Sequence, residues 1–275
     1  MQKSDWSLEI IRHRQENTSI RYAVLDFDGT ISLVREGWQQ IMIPYFANEL
    51  MNTPKGRDMD KDALTALAKE FIFYHTGKQT IYQCIALAEE IKKLGGVPED
   101  PQAYKDEYHR QLLMRIDNRL VGLSEGSIDP ESLTVPGSYQ LLDMLKSRGV
   151  ALYLASGTDE EYVLKEAKLL KVDGYFEGHI YGAQRDYKTF SKKMIINHIL
   201  KENHLSGPEL VGFGDGYVEI ENVKAVGGLA IGVASNESER QGIDRWKQER
   251  LSRAGADAII PDYRGITSLE RYLFS

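Results

Sequence analysis

The feature that most constrains the fold is a set of short runs in which apolar residues follow one another without alternation. The runs are YAVLDF (22–27), ALYLAS (151–156), ELVGFGD (209–215), LAIGVAS (229–235), AII (258–260) and, more weakly, GHIYG (178–182). Strands that are buried on both faces of a parallel sheet have this composition. Segments with helical periodicity follow several of the runs, which predicts a doubly wound α/β sheet with right-handed crossovers.

Helices are predicted between the strands, over 137–149, 158–172 and 191–203. The first contains a leucine stripe and ends at Gly149, which suits the left-handed position just past a helix. The second opens with Thr158 and carries acidic residues in its first turn, which suits the positive end of the helix dipole. Ser191 is the predicted N-cap of the third helix.

Residues 33–135 do not follow this strand–helix alternation. They contain four segments with helical periodicity, separated by turn signals such as NTPKGRD and GGVPEDP, and no convincing strand. A chain of 275 residues is also long for a single core. We therefore predict a discontinuous α/β domain, formed by 1–32 and 136–275, into which a helical domain of residues 33–135 is inserted.

Charge and cysteine content exclude several classes of function. A formal net charge of −7 provides no basic surface to neutralise the phosphates of a nucleic acid. The single cysteine, Cys84, excludes a disulfide framework and a multi-thiolate zinc site and fits a reducing compartment. No stretch approaches the roughly 18 apolar residues of a membrane span, and residues 1–17 lack the apolar segment of a signal peptide. These observations predict a cytoplasmic protein with neither a nucleic-acid nor a membrane partner.

Acidic residues follow two of the predicted strands. Asp26 and Asp28 end the first run, and Asp215, followed by Glu219, ends the run 209–215. The carboxyl ends of parallel strands lie at one edge of a sheet, where ligands bind. Four carboxylates there would repel one another unless a cation joined them. Oxygen ligands in small number favour Mg²⁺, which keeps waters and completes its shell with a substrate phosphate.

These motifs have three simpler interpretations. An EF-hand calcium loop starting at Asp26 fails because Ile31 occupies the glycine position and Gly37 the final glutamate position. A dinucleotide fingerprint in GFGDGY fails because Tyr217 occupies the position of the third glycine. Asp26 and Asp28 could be ordinary turn residues if the DFDG motif stood alone, but further motifs follow it in order.

Four successive motifs, namely DFDGT (26–30), LASGT (154–158), a lysine at a helix start and GDGYVE (214–219), resemble those of the haloacid dehalogenase superfamily. The resemblance covers nearly the whole α/β part. The helical insert after the first motif is similar to the cap of the phosphoglycolate phosphatase and β-phosphoglucomutase branch. The resemblance thus implies a Rossmann-like α/β core with an inserted helical cap that closes over the crevice.

The resemblance also implies the roles of the acidic residues. Asp26 would be the nucleophile that forms an aspartyl-phosphate, and Asp28 the general acid and base. Gly29 would permit the turn that brings the two side chains together. The metal would be held by the Asp26 carboxylate, the main-chain carbonyl of Asp28 and Asp215, with Glu219 as a ligand directly or through water. Glutamate at this last position is a departure, since aspartate is commoner in the family.

Phosphate binding is implied for the LASGT motif and for the lysine. The Ser156 hydroxyl and the amides of Gly157 and Thr158 would bind the phosphoryl oxygens at a helix N-terminus. The lysine would neutralise the charge that develops during transfer. Three lysines compete for this role: Lys192 has the best position at the helix start, Lys193 is its neighbour, and Lys188 lies in the preceding loop.

The sequence therefore predicts a Mg²⁺-dependent phosphatase that hydrolyses a small phosphorylated metabolite, for example a sugar phosphate, through an aspartyl-phosphate. A phosphomutase of the β-phosphoglucomutase type is an alternative within the same fold. A catalytically silent binding or regulatory domain is an alternative from a different class. The intact set of Asp26, Asp28, Lys192 and Asp215 argues against a silent domain, because such a domain has no need of mutually repelling charges.

Overall fold

The structure of the protein is a computed structural model, and it describes residues 6–13, 19–204 and 206–275. The chain divides into two compact units. The first, the α/β unit, consists of Met1–Glu36 and Arg119–Ser275, and the second, the helical unit, is Gly37–Asn118. The division falls inside a long helix, after Asn118, whereas the sequence placed the end of the insert beyond that helix, at residue 135.

In its described residues, the α/β unit is built on seven strands. They are β1 (Glu9–Ile10), β2 (Tyr22–Leu25), β3 (Ala151–Asp159), β4 (Ile180–Ala183), β5 (Leu210–Gly214), β6 (Leu229–Val233) and β7 (Ala258–Ile260). They form one sheet in the order β1-β7-β6-β5-β2-β3-β4. Among the six strands β2 to β7, all neighbouring pairs are parallel. The predicted doubly wound α/β fold is confirmed, and so is the weaker strand candidate at 178–182.

The first strand was not predicted. β1 has two residues, both exposed, and pairs antiparallel with β7 at the edge of the sheet. Its side chains lack the continuous apolar pattern of a strand buried on both faces, so the signal that identified the other strands is absent here.

Six helices of the α/β unit connect or follow its strands. They are α5 (Ser138–Ser147), α6 (Glu160–Leu169), α7 (Lys192–Glu202), α8 (Tyr217–Ala225), α9 (Arg245–Ala254) and α10 (Ile266–Phe274). Helix α5 buries Leu141, Leu142 and Leu145. Gly149 follows it with a φ of 73°, as predicted for that position. The hydroxyl of Ser191 accepts a hydrogen bond from the main-chain NH of Met194, which confirms it as the N-cap of α7.

The start of helix α6 was predicted two residues too early. Strand β3 continues to Asp159, so Ser156, Gly157 and Thr158 belong to the strand and not to a helix N-terminus. The helix begins at Glu160, and Asp159 is its N-cap residue. Thr158 and Asp159 both belong to residue types that favour helix starts, so composition alone does not distinguish them.

Four helices account for the helical unit: α1 (Gln39–Met51), α2 (Lys61–Tyr74), α3 (Thr80–Lys93) and α4 (Pro101–Glu125), which extends past its end. These match the predicted segments. Phe46 and Phe71 stack with ring centroids 5.9 Å apart, and Cys84 is fully buried. In the described ranges of the chain, no helix combines the length and the apolar character needed to cross a membrane.

A core beneath the sheet edge holds the strand ends in place. It includes Val24 and Tyr153 of the central strands and Ile196, Ile199 and Ile220 of helices α7 and α8. Leu25 of β2 is paired with Leu154 of β3 on one side and with Phe213 of β5 on the other. The residues that follow these three strands are therefore held side by side by the regular register of the sheet.

Candidate active site

Asp26 stands at the point where β2 becomes a tight turn. Its main-chain NH donates to the carbonyl of Phe213, 2.9 Å away, which extends the pairing with β5 by one step. The chain then folds back, because the NH groups of Ile31 and Ser32 both donate to the carbonyl of Phe27, each at 2.8 Å. This turn brings Asp28 back over the strand ends instead of to the opposite face of the sheet.

Gly29 allows the turn to approach the next strand end closely. Its φ is 73°, in the left-handed region. A Cβ atom at this position would lie 2.3 Å from Oδ2 of Asp215 and 3.1 Å from Oε1 of Glu237. Only glycine therefore fits between the turn and these two carboxylates. The predicted turn role of Gly29 has a direct steric cause here.

Lys192 bridges two of the predicted carboxylates. Its Nζ lies 2.8 Å from Oδ1 of Asp26 and also donates to Oε1 of Glu219. All three residues are buried. Burial lowers the pKa of Lys192, but attraction to the two carboxylates outweighs burial, so its pKa is raised. Burial and the nearby Glu219 and Asp215 carboxylates raise the pKa of Asp26, against the opposing effect of Lys192.

The other two candidate lysines lie elsewhere. Lys188 is in a short 3₁₀ turn and Lys193 is the second residue of α7, and both side chains are exposed. Of the three lysines considered from the sequence, Lys192 is the one that contacts Asp26.

Asp28 is held by hydroxyl groups. Its Oδ2 accepts a hydrogen bond from Oγ1 of Thr158 at 2.8 Å and a longer one from Oγ of Ser156 at 3.4 Å. Ser156 in turn accepts from the NH of Thr158 at 3.0 Å. Burial raises the pKa of Asp28 to about 6, although the guanidinium of Arg35, 4.0 Å from Oδ1, lowers it. A carboxyl group with this pKa exchanges protons near neutral pH, as a general acid and base must.

Arg35 belongs to a buried ion pair beside Asp28. Its guanidinium donates two hydrogen bonds to Oε1 of Glu166 on α6, at 2.7 and 3.0 Å, and lies 5.2 Å from the ring centre of Tyr162. The Arg35 and Glu166 side chains are 6% and 2% exposed. A pair so deeply buried is costly to desolvate and is retained only with good geometry. It fixes the guanidinium next to the general acid candidate.

A second lysine, Lys247 of α9, was not predicted. Its Nζ lies 2.8 Å from Oδ2 of Asp215, 2.6 Å from Oε1 of Glu237 and 3.3 Å from Oγ of Ser235. The Ser235 hydroxyl donates to the carbonyl of Gly29 at 2.7 Å. Attraction to Asp215 and Glu237 outweighs the effect of burial and raises the pKa of Lys247. Asp215 is thus partnered by a lysine in the same way as Asp26.

Neither Glu237 nor Lys247 was predicted as a site residue. The sequence contains a signal for Glu237 but none for Lys247. Glu237 lies just after the predicted strand 229–235, at the same edge of the sheet as Asp26 and Asp215. The strand-end rule that selected those two aspartates selects Glu237 as well. Lys247 lies in an amphipathic helix among other charged residues, which gives no indication that its side chain is buried.

The chemistry of these groups fits a small cation with oxygen ligands. Six carboxylates, those of Asp26, Asp28, Glu166, Asp215, Glu219 and Glu237, face two lysine ammonium groups and the guanidinium of Arg35, which leaves a formal charge of −3. Oδ1 of Asp28 and Oε2 of Glu219 are buried without a hydrogen-bond partner. Buried acceptors in an excess of negative charge attract a cation.

The side chains alone do not form a closed cation cage. Among the residues that the structure describes, no three His, Cys, Asp or Glu side chains are grouped so that they could hold a metal ion. Lys192 and Lys247 lie between the carboxylates, and Glu219 is paired with Lys192. The arrangement therefore suits an ion that takes few side-chain ligands and completes its shell with a main-chain carbonyl, water and phosphate, as Mg²⁺ does.

The family model of haloacid dehalogenase-like hydrolases matches residues 20–227, which is most of the chain and contains all the predicted site residues. No curated protein matches the chain.

Solved structures with the same fold have low sequence identity to the chain. A predicted phosphoglycolate phosphatase from Haemophilus somnus 129PT is 13% identical, with a TM-score of 0.59 over 92% of this chain and 99% of the other. A Thermotoga maritima protein provisionally named a beta-phosphoglucomutase is 18% identical, with a TM-score of 0.54 over 92% and 100%. A hydrolase of the same family from Deinococcus radiodurans R1, with bound phosphate and sodium, is 14% identical, with a TM-score of 0.55 over 94% and 99%.

Proposed function

The chain belongs to the haloacid dehalogenase-like hydrolases, and on that premise we propose that it is a Mg²⁺-dependent phosphatase acting on a small phosphorylated metabolite. The observation that carries this proposal is the buried contact of 2.8 Å between Nζ of Lys192 and Oδ1 of Asp26, beside the Asp28 carboxyl group. A carboxylate nucleophile, a cation next to it and a general acid of near-neutral pKa are the groups that phosphoryl transfer through an aspartyl-phosphate requires.

In the first half of the reaction, an oxygen of the Asp26 carboxylate attacks the phosphorus atom of the substrate. The bond between phosphorus and the ester oxygen breaks, and Asp28 donates its proton to that leaving oxygen. Lys192 stabilises the negative charge on the Asp26 carboxylate and on the transferring phosphoryl group. The products of this half are the alcohol and phosphorylated Asp26.

In the second half, Asp28, now ionised, accepts a proton from a water molecule. The water oxygen bonds to phosphorus and the bond to Asp26 breaks, which releases inorganic phosphate and restores the enzyme. The pKa of about 6 for Asp28 suits both roles, since neither protonation state is strongly disfavoured near neutral pH. The hydroxyl donors from Ser156 and Thr158 orient this carboxyl group.

Phosphoryl oxygens would be bound by the LASGT strand end and by Lys192. We assign Ser156 and the main-chain NH groups of Gly157 and Thr158 to this role. The NH of Thr158 donates to Oγ of Ser156, 3.0 Å away, and a bound phosphoryl oxygen would replace that acceptor. Because these residues continue strand β3, the donors belong to a strand end and not to a helix dipole. Hydrogen-bond donors fixed by a strand are pre-organised for an anion in the same way as donors at a helix start.

Magnesium would be held by the carboxylates of Asp26 and Asp215 and by the carbonyl of Asp28, with Glu219 acting through water. When bound, it would offset the excess negative charge of the crevice and the charge of the phosphoryl group. Glu219 would act through its Oε2, which has no hydrogen-bond partner, because its Oε1 accepts a hydrogen bond from Lys192. The thiol of Cys84 is free and buried, which is compatible with a protein of the reducing cytoplasm.

Phosphate release from p-nitrophenyl phosphate tests the proposal. Wild-type protein with Mg²⁺ should release inorganic phosphate, and Asp26→Asn should release none above background. A panel of phosphorylated metabolites then identifies the preferred leaving group. Interconversion of phosphosugar isomers without net phosphate release would reassign the protein as a mutase. Absence of turnover across the panel, together with tight binding of one of its members, would reassign it as a binding domain.

A further inference from the structure

The ammonium group of Lys247 is surrounded by oxygen atoms from the side chains of three residues. Its ammonium group has three N–H donors. Three oxygens surround it: Oδ2 of Asp215 at 2.8 Å, Oε1 of Glu237 at 2.6 Å and Oγ of Ser235 at 3.3 Å. Each donor thus has one acceptor. The side chain is 9% exposed, so water contributes little to this shell.

The two carboxylates around Lys247 would form a cation site without it. Their oxygens converge on one point at 2.6 and 2.8 Å; the first distance is at the upper end of the 2.3–2.6 Å that Ca²⁺ adopts with oxygen ligands, and the second is slightly longer. Gly29 closes the other side, since even a Cβ atom there would lie 2.3 Å from Oδ2 of Asp215. Removal of the ammonium group alone would leave two carboxylates facing each other over an unfilled, negatively charged space.

We propose that Lys247 is a positioning residue that replaces a second metal ion. Its ammonium group fills the point between Asp215 and Glu237 and neutralises one of their charges. It also contacts Oδ2 of Asp215. The remaining oxygen of this carboxylate, Oδ1, is then available to the magnesium ion proposed beside Asp26. The crevice consequently accepts one divalent ion and not two. This inference rests on the proposed function for the first ion only.

The number of Mn²⁺ ions bound per chain tests this inference, with Mn²⁺ as a spectroscopic probe for Mg²⁺. Equilibrium dialysis and electron paramagnetic resonance of the 275-residue chain should give one ion for wild type and two for Lys247→Met. Lys247→Arg keeps the positive charge and should return the number to one. The double variant Lys247→Met/Glu237→Gln removes a carboxylate of the vacated site and should also return it to one.

A matched control removes the lysine of another lysine–aspartate pair, which lies in the same unit but away from the candidate active site. Nζ of Lys224 lies 2.8 Å from Oδ1 of Asp257, and Lys224→Met should bind one Mn²⁺ like wild type. If Lys247→Met does not fold, Lys247→Gln, which removes the charge but keeps a hydrogen-bond donor, should give the same gain of one ion. The melting temperature of either variant should rise more with Mn²⁺ than that of wild type.

The outcomes separate the inference from the proposed function. Equal Mn²⁺ stoichiometry in wild type and in both neutral Lys247 variants would overturn the inference, whatever the activity. A wild-type protein that binds no Mn²⁺ would overturn the metal dependence of the proposed function, while a gain of one ion in Lys247→Met would still support the inference. Loss of stability without a change in stoichiometry would assign Lys247 a purely structural role and would also overturn it.

Discussion

Two lysines at the same edge of the sheet have the same local chemistry but differ in their relation to the reaction. Lys192 bridges Asp26 and Glu219, and Lys247 bridges Asp215 and Glu237. Each ammonium group is buried and shared by two carboxylates, so each cluster has a formal charge of −1. Only Lys192 contacts the proposed nucleophile. In our two proposals, the same ion-pair chemistry thus serves charge stabilisation in one cluster and exclusion of a cation in the other.

The largest expected effect comes from removing the lysine that contacts the nucleophile. Lys192→Met should lower kcat/KM on the order of 10²–10³-fold, the range for loss of one group that stabilises developing charge. The number of Mn²⁺ ions bound should stay at one, in contrast to Lys247→Met, because both carboxylates that Lys192 contacts are already assigned to the first ion. Steady-state kinetics with p-nitrophenyl phosphate and Mn²⁺ dialysis measure the two quantities.

Two neighbouring lysines provide the controls for this variant. Lys188→Met and Lys193→Met each remove one exposed charge close to Lys192 along the chain and should leave kcat/KM within about twofold of wild type. A loss in either that equals the loss in Lys192→Met would contradict the assignment of Lys192.

The next effect concerns Asp28, the carboxyl group that is held by hydroxyls instead of a lysine. Its pKa is about 6 in the folded protein against its ordinary value of 3.8, so ionisation of this partly buried group destabilises the fold by about 3 kcal/mol above pH 6. The penalty disappears as the pH falls towards 3.8. Asp28→Asn in EDTA should therefore exceed the wild type in free energy of unfolding by about 3 kcal/mol at pH 8 and match it below pH 4.

Urea unfolding of both proteins at pH 8 and pH 4 measures this difference. The exposed Asp106 serves as the matched control, and Asp106→Asn should change the free energy of unfolding by less than about 0.5 kcal/mol at either pH. A gain from Asp28→Asn that is the same at both pH values would show that ionisation of Asp28 is not its cause.

The smallest effect is the stabilisation of the fold by Mg²⁺. At a concentration 100 times the dissociation constant, Mg²⁺ should stabilise the wild type by about 2.7 kcal/mol. Asp215→Asn should lose most of this gain because it removes a proposed ligand, whereas Lys192→Met should keep it. Thermal unfolding with and without EDTA measures the shift. An equal Mg²⁺ shift in Asp215→Asn and wild type would separate Asp215 from the metal.

The members of the Lys192 cluster could be selected from the sequence because they lie in patterns with physical causes. Asp26 follows a continuously apolar strand, Glu219 lies five residues past the end of another, and Lys192 follows an N-capping serine at the start of a helix. The parallel sheet then brings the strand ends together without further information. The same reasoning predicted the fold and every helix of the helical unit, because the apolar spacing there is regular.

The Lys247 cluster could be predicted only in part, since it depends on the depth to which a helix is buried. Helix α9 buries only Lys247 and Leu251 among its ten mostly polar residues. Its sequence therefore predicts an exposed helix. The buried pair of Arg35 and Glu166 was missed for a related reason, because its members are 131 positions apart in the chain. Edge strand β1 and the extension of β3 through Thr158 depend on pairing with neighbouring strands.

Covalent capture of the phosphoryl group tests the central claim most directly. The protein is mixed with a ³²P-labelled phosphoester and Mg²⁺, quenched in acid within one turnover, and digested for mass spectrometry. Our account predicts a hydroxylamine-sensitive acyl phosphate on the peptide that contains Asp26, and no label in Asp26→Asn. Label on a different residue, or phosphate release by Asp26→Asn at the wild-type rate, would contradict it.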